Sequence, residues 1–118
     1  MLIAAGRIGF GAVLLASPER LTEAWIGREG AHPGPRVLAR ALGARDLVLG
    51  AGAISAPDDS VLAWLVAALA ADATDLIATV GAGDGLPLRG RIVVGGAALS
   101  GLAAGAAALA GLLSAPRQ

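Results

Sequence analysis

The chain has 118 residues, the size of one domain, and 56% of them are hydrophobic while only 15% are charged. Soluble domains carry about 25% charged residues, so this composition and a mean hydropathy of +0.73 exclude an ordinary soluble or disordered chain. The absence of cysteine excludes a disulfide scaffold, and a net charge of zero offers no basic surface for nucleic acid. We therefore expect a single integral membrane domain over residues 1–118, with the lipid bilayer as its partner and no nucleic acid.

Four apolar segments are predicted to be helical spans, at residues 2–16, 36–56, 60–80 and 92–113. A bilayer core of about 30 Å needs about 20 helical residues. The last three segments meet this length, and no charged residue lies between Arg91 and Arg117. The first segment carries Arg7 and reaches only part-way, and a start upstream of Met1 would lengthen it. The fold class predicted is all-α, a four-helix transmembrane bundle.

The connection between the first two spans contains the signals of a short helix. Ser17 is predicted as its N-cap, Pro18 lies at its first position, and Gly27 ends it. Its apolar stripe consists of Leu21, Ala24 and Trp25. Such a stripe is typical of a helix lying in the membrane interface, or of an amphipathic turn packed on the bundle.

Two further connections join the remaining spans. The link at residues 57–59 is so short that the second and third spans are predicted to be antiparallel neighbours. Residues 81–90 form a glycine-rich loop before the last span.

The distribution of arginine predicts the orientation, because short cytoplasmic loops are enriched in positive charge. The first and third loops hold five arginines, whereas the opposite side holds one, Arg117. We therefore expect loops 1 and 3 in the cytoplasm and both termini outside, in a multi-pass protein of the cell membrane. Trp25 and Trp64 are predicted to anchor the chain at the cytoplasmic and outer interfaces respectively.

Six ionisable residues lie inside the predicted spans, where charge is costly. They are Arg7, Arg40, Arg45, Asp46, Asp72 and Asp75. Counting residues from the cytoplasmic surface places Arg45 level with Asp72, and Arg7 at a similar depth. Asp72 and Asp75 lie one turn apart on one helix face. We expect Arg45 to pair with Asp72 and Asp75, Asp46 to pair with Arg7, and Arg40 to reach the headgroups or Asp75.

These charges support three hypotheses of different kinds. The first is a structural or accessory membrane protein, in which paired charges form a structural lock that fixes helix order and register. The second is a membrane enzyme acting on an isoprenoid or other lipid-phase substrate, with Asp72 and Asp75 as acid and base and Arg45 steering them. The third is a small proton-coupled carrier. An enzyme needs a pocket lined by the carboxylates, and a carrier needs a polar path to both membrane surfaces. A structural lock needs carboxylates fully bound by arginines, with no cavity beside them.

Other features suggest packing rather than chemistry. Ala97, Gly101 and Gly105 form a ridge of small residues, which permits close helix packing within the bundle or in a homo-oligomer or larger membrane complex. His32 lacks partners at metal-ligand spacing, and the glycine-rich segment 81–85 follows no strand and precedes no lysine. We therefore expect neither a metal nor another cofactor.

Three motifs give the chain a resemblance to a known family. They are Ser-Pro-Glu-x-Leu with Trp-Ile-Gly at residues 17–27, Arg-Ala-Leu-Gly-Ala-Arg-Asp-Leu-Val-Leu-Gly at 40–50, and the pair Asp72 and Asp75. The chain resembles a domain-of-unknown-function family of small, four-helix integral membrane proteins of actinobacteria. The resemblance implies membrane location and a helical bundle, and it implies no activity. The short first helix departs from the family pattern.

Overall fold

The computed structural model describes residues 2–114, which form five α-helices. These are α1 (Leu2–Ala16), α2 (Pro18–Ile26), α3 (Pro33–Ser55), α4 (Val61–Gly81) and α5 (Leu88–Ser114). Two short 3₁₀ turns follow α2 and α4, at Gly27–Ala31 and Gly83–Gly85. No strand occurs in this part of the chain, so the prediction of an all-α fold is confirmed.

Proline and glycine set the boundaries of α2. Pro18 occupies its first turn, where the missing N–H costs nothing, and Gly27 ends it with a positive φ of 81°. Ser17 makes no side-chain capping hydrogen bond. Ser17 thus occupies the predicted N-cap position without capping the helix through its side chain, and the fixed φ of Pro18 favours the first helical turn.

The helices pack as two antiparallel pairs, α1 with α3 and α4 with α5. The backbones of α1 and α3 touch, because a β-carbon placed at Gly11 would lie 2.6 Å from the carbonyl oxygen of Gly43. The two pairs meet where α3 contacts α4. These two helices are also antiparallel, as the short link at residues 57–59 predicted. The helix α2 contacts α3 and α5, and its buried residues are Pro18 and Thr22.

The distribution of polar and apolar side chains is the reverse of that in a soluble protein. In residues 2–114 the buried apolar side chains are few, namely Leu14, Pro18, Ala39, Leu49 and Ala98. Large apolar side chains such as Leu38, Val66, Ile77 and Leu99 are exposed, while Asp46 and Asp72 are buried. Apolar surface outside and charge inside is the arrangement that a hydrocarbon environment favours.

Two helices, α4 and α5, are long and apolar enough to cross a membrane. Within residues 2–114, a third candidate arises only if α1 and the segment Pro18–Ala31 are taken together, and these are bent by 99° relative to each other. The helix α3 has the length, but it carries Arg36, Arg40, Arg45 and Asp46. The four-span prediction is thus confirmed only as far as an all-helical chain with two candidate membrane spans.

Candidate functional site

Arg7 lies at the centre of a group of buried charges where α1, α3 and α4 meet. Its side chain is only 9% exposed. Its Nη1 donates to Oδ1 of Asp46 on α3 at 2.8 Å, and its Nη2 donates to both carboxylate oxygens of Asp72 on α4 at 2.6 Å. A single guanidinium therefore joins three helices that are distant in sequence.

Arg45 forms the outer part of the same group. Its Nη1 and Nη2 donate to the two oxygens of Asp75 at 3.0 and 2.7 Å, a bidentate pair of the kind that arginine favours. Arg45 also donates to Oδ1 of Asp46 at 3.1 Å. Both Arg45 and Asp75 are about a quarter exposed. We call these five residues, Arg7, Arg45, Asp46, Asp72 and Asp75, the charge network.

This geometry confirms two predicted pairs and corrects a third. Asp46 binds Arg7, and Arg45 binds Asp75, as expected. The pairing of Arg45 with Asp72 is wrong, because Asp72 is bound by Arg7 instead. Residues three apart on a helix diverge by about 60°, which is enough for Asp72 to face α1 while Asp75 faces α3.

Arg40 does not belong to the charge network. It is exposed, and it makes no salt bridge with any residue in the range 2–114. On α3 it lies about 140° around the helix axis from Arg45, so it points away from the aspartates. Its inclusion among the buried charges is therefore wrong.

Small residues of α5 let this helix approach the charge network closely. A β-carbon at Gly101 would collide with the Asp72 carboxylate, and one at Gly105 would lie 2.6 Å from Cδ2 of Leu69. These two glycines pack against α4 within the chain. Ala97 is exposed and borders the cavity that Gly101 also lines, while its neighbour Ala98 is buried, so the packing role of Ala97 stays a prediction.

A cavity of about 320 Å³ lies against the charge network, and we call it the central cavity. All five network residues line it, and its other walls are largely apolar side chains of α1, α2, α3 and α5. They include Phe10, Leu14, Leu42 and Val94. The site therefore combines an ionic surface with an apolar chamber.

The short helix α2 supplies one wall of the central cavity, through Leu21, Ala24 and Trp25. The carbonyl of Trp25 lies so close to Gly90 that a β-carbon there would overlap it, which fixes α2 against the start of α5. The indole N–H of Trp25 is buried and has no hydrogen-bond partner among residues 2–114. Trp25 thus lines the site, and its role as an interface anchor stays a prediction.

Thr22 holds α2 in place, and sequence reasoning did not identify it. Its side chain is buried, and its hydroxyl lies 2.8 Å from the carbonyl oxygens of both Pro18 and Gly30, either of which can accept its proton. The hydroxyl therefore links the first turn of α2 to the 3₁₀ turn that follows. Thr22 lies between the charged face and the apolar stripe of α2, so its position in the sequence gave no signal of this role.

A second cavity, of about 420 Å³, lies beyond Arg7. It shares Ile3 and Arg7 with the central cavity, and Arg7 is the one charged residue among those that line it. Trp64 lines it and packs its ring over Gly52 on α3. The anchoring role of Trp64 also stays a prediction.

The remaining sequence candidates lie outside both cavities. Within residues 2–114, no group of three or more His, Cys, Asp or Glu side chains could hold a metal ion. His32 faces Glu29 at 3.2 Å in an exposed turn, and Asp84 of the glycine-rich segment pairs with Arg91 at 3.1 Å. Comparison of the chain with protein-family models, with curated proteins and with solved structures gave no match. The resemblance to the actinobacterial family stays a prediction.

Proposed function

We propose that this protein is a small integral membrane protein with a structural or accessory role, in which the charge network locks the helices in register. The observation that supports the lock is the bridging of α1, α3 and α4 by Arg7. Apolar contacts discriminate poorly between helix arrangements in lipid, whereas paired charges specify one arrangement. Such a protein acts through a homo-oligomer or a larger membrane partner. The stability of Arg7 variants in detergent tests the lock.

The arrangement of all four long helices supports a four-helix bundle embedded in the bilayer. The 23 residues of α3 extend about 35 Å, and its Arg45 and Asp46 face the charge network rather than the outside. The 15 residues of α1 extend about 22 Å, so α1 reaches part-way and its Arg7 is compensated inside the bundle. In this proposal, α3 and α1 enter the membrane because their charges are neutralised by partners.

The central cavity is lined by the carboxylates, as the enzyme hypothesis requires and the lock does not, so the bonding of those carboxylates weighs between the two hypotheses. Both oxygens of Asp72 and both oxygens of Asp75 accept hydrogen bonds from a guanidinium. Carboxylates held in this way are poor proton donors and acceptors, which weighs against acid–base catalysis. A carrier would need a polar path, and the second cavity has one charged residue in an otherwise largely apolar lining.

Membrane insertion predicts the outcome of alkaline extraction. We expect the full-length protein to stay in the membrane pellet after a carbonate wash, because α4 and α5 have the length and apolarity of spans. Fractions are assayed by immunoblotting, with a known peripheral protein as the control that must be released. Appearance of the protein in the supernatant would contradict the integral assignment.

The orientation is tested by single cysteines, since the natural chain has none. With both termini outside, cysteines at Ser114 and Asp58 should react with an impermeant maleimide in intact cells, and one at Ala82 should react only after lysis. Ala82 and Asp58 are exposed positions in connections between helices. The opposite pattern would reverse the orientation, and labelling of Asp58 and Ala82 from the same side would contradict a span formed by α4.

A further inference from the structure

The central cavity has an unbalanced charge. Counted with every side chain ionised, its lining contains two guanidiniums, Arg7 and Arg45, and three carboxylates, which leaves one formal negative charge. No other charged side chain lines the cavity. An uncompensated charge among apolar helices is costly, and a positive charge placed beside it would lower that cost. The cavity therefore favours a cation over a neutral or anionic molecule.

Asp46 is the carboxylate with free capacity for a ligand. Its side chain is 7% exposed, and both Arg7 and Arg45 donate to the same oxygen, Oδ1. Among residues 2–114, none of the hydrogen bonds goes to Oδ2. A carboxylate oxygen has room for about two hydrogen bonds, so Oδ2 is an unused acceptor on a buried side chain that lines the cavity.

The walls of the cavity indicate what the rest of the ligand is. Phe10 and Trp25 contribute aromatic side chains, and Leu14, Leu42 and Val94 contribute aliphatic ones. Aromatic rings attract cations, most strongly where water is excluded. The volume of about 320 Å³ corresponds to roughly ten water molecules at about 30 Å³ each. A small molecule with an apolar body fits this space.

We propose that the central cavity is a binding site for a small lipophilic primary ammonium ion. The ammonium group lies at Asp46, donates to Oδ2 and compensates the negative charge of the network. The apolar body lies against the walls formed by α1, α2 and α5. This site goes beyond the structural role, because the lock requires the ion pairs but not the adjoining chamber.

The probe for this site is 2-phenylethylammonium, measured by equilibrium dialysis against the full-length protein in a neutral detergent. We expect a single saturable site for the ammonium ion. The neutral analogue 2-phenylethanol has the same size and should bind at least roughly tenfold more weakly, which is about 1.4 kcal/mol. Phenylacetate, an anion, should not bind. The absence of saturable binding, or equal binding of phenylacetate, would overturn the proposal.

A matched pair of glycine variants locates the site. Gly6 borders the central cavity and Gly9 borders neither cavity, and at both positions an added β-carbon would meet no atom within 4 Å. Gly6→Phe should fill the chamber and weaken binding by roughly tenfold or more, while Gly9→Phe should leave binding unchanged. Equal binding by folded Gly6→Phe and Gly9→Phe would show that the ligand lies elsewhere and would overturn the assignment.

A second pair on α5 covers the case in which Gly6→Phe fails to fold, as judged by circular dichroism and gel filtration. Ala97 of α5 is exposed and lines the central cavity, and a β-carbon added at its neighbour Gly96 would meet no atom within 4 Å. Ala97→Phe should weaken binding while Gly96→Phe should not. If the ligand does not bind, the proposed structural role still stands, because that role is tested by the stability of Arg7 variants and not by ligand binding.

Discussion

Replacing Arg7 with leucine is expected to destabilise the protein severely. The change removes the arginine that binds Asp72 and one of the two that bind Asp46, and the two carboxylates are 12% and 7% exposed at their side chains. Leaving a buried charge uncompensated costs about 3–5 kcal/mol in soluble proteins, and water defects in a membrane or micelle reduce that figure. We expect a loss of about 3 kcal/mol in the free energy of unfolding, measured by denaturant titration in detergent with helical circular dichroism as the signal.

Two other arginine variants serve as controls for this result. Arg40→Leu removes an exposed arginine that makes no salt bridge in residues 2–114, so it should change stability by less than about 0.5 kcal/mol. Arg45→Leu should fall between the two, because Arg45 is 28% exposed and Asp46 keeps its bond to Arg7. If Arg7→Leu and Arg40→Leu were equally stable, the charge network would not be a lock.

A double-mutant cycle isolates the central ion pair. Asp72→Asn combined with Arg7→Leu should lower the free energy of unfolding by less than the sum of the two single changes. Asp72→Asn leaves Arg7 without the Asp72 charge, and Arg7→Leu then removes that arginine. Additive losses would show that Arg7 and Asp72 are not coupled, whatever their separation.

Replacing Gly101 with leucine is expected to have the second large effect. A β-carbon at this position collides with the Asp72 carboxylate, so the new side chain must displace either α5 or the aspartate. Overpacking a core costs about 1–3 kcal/mol, and displacement of Asp72 from Arg7 adds to it. We therefore expect a loss of about 3 kcal/mol, again measured by unfolding in detergent.

The matched control for this variant is Gly96→Leu on the same helix. No atom lies within 4 Å of a β-carbon added at Gly96, and leucine favours a helix over glycine by up to about 1 kcal/mol. Gly96→Leu should therefore be neutral or stabilising. If the two variants were equally tolerated, close packing of α5 on Asp72 would not support the charge network.

The sequence predicted the helices well because their signals are local. Apolar runs set the positions of α3, α4 and α5, and Pro18 and Gly27 bound α2. Span assignment was less certain for α1 and α3, because their charges oppose insertion unless partners on other helices compensate them. Whether oppositely charged partners lie beside these residues depends on the fold and cannot be read from the composition.

The charge network was partly predictable. Counting residues from one membrane surface brought Arg7, Arg45 and Asp72 to similar depths, and helical periodicity separated the directions of Arg45 and Asp46. The depth and direction of each side chain still left Asp72 with two possible partners. These are Arg45 and Arg7. The choice depends on which helix packs beside that face of α4, and this is set by backbone contacts such as that between Gly11 and Gly43.

By itself, the sequence determined that the chain is helical and that it contains apolar segments long enough to cross a membrane. Tertiary structure alone decided that Arg7 bridges three helices, that Arg40 stays outside the charge network, and that the stripe of α2 lines a cavity beside it. The physical reason is that helix formation and hydrophobicity act over neighbouring residues. A cavity and a bridged ion pair arise only from the relative placement of helices far apart in the chain.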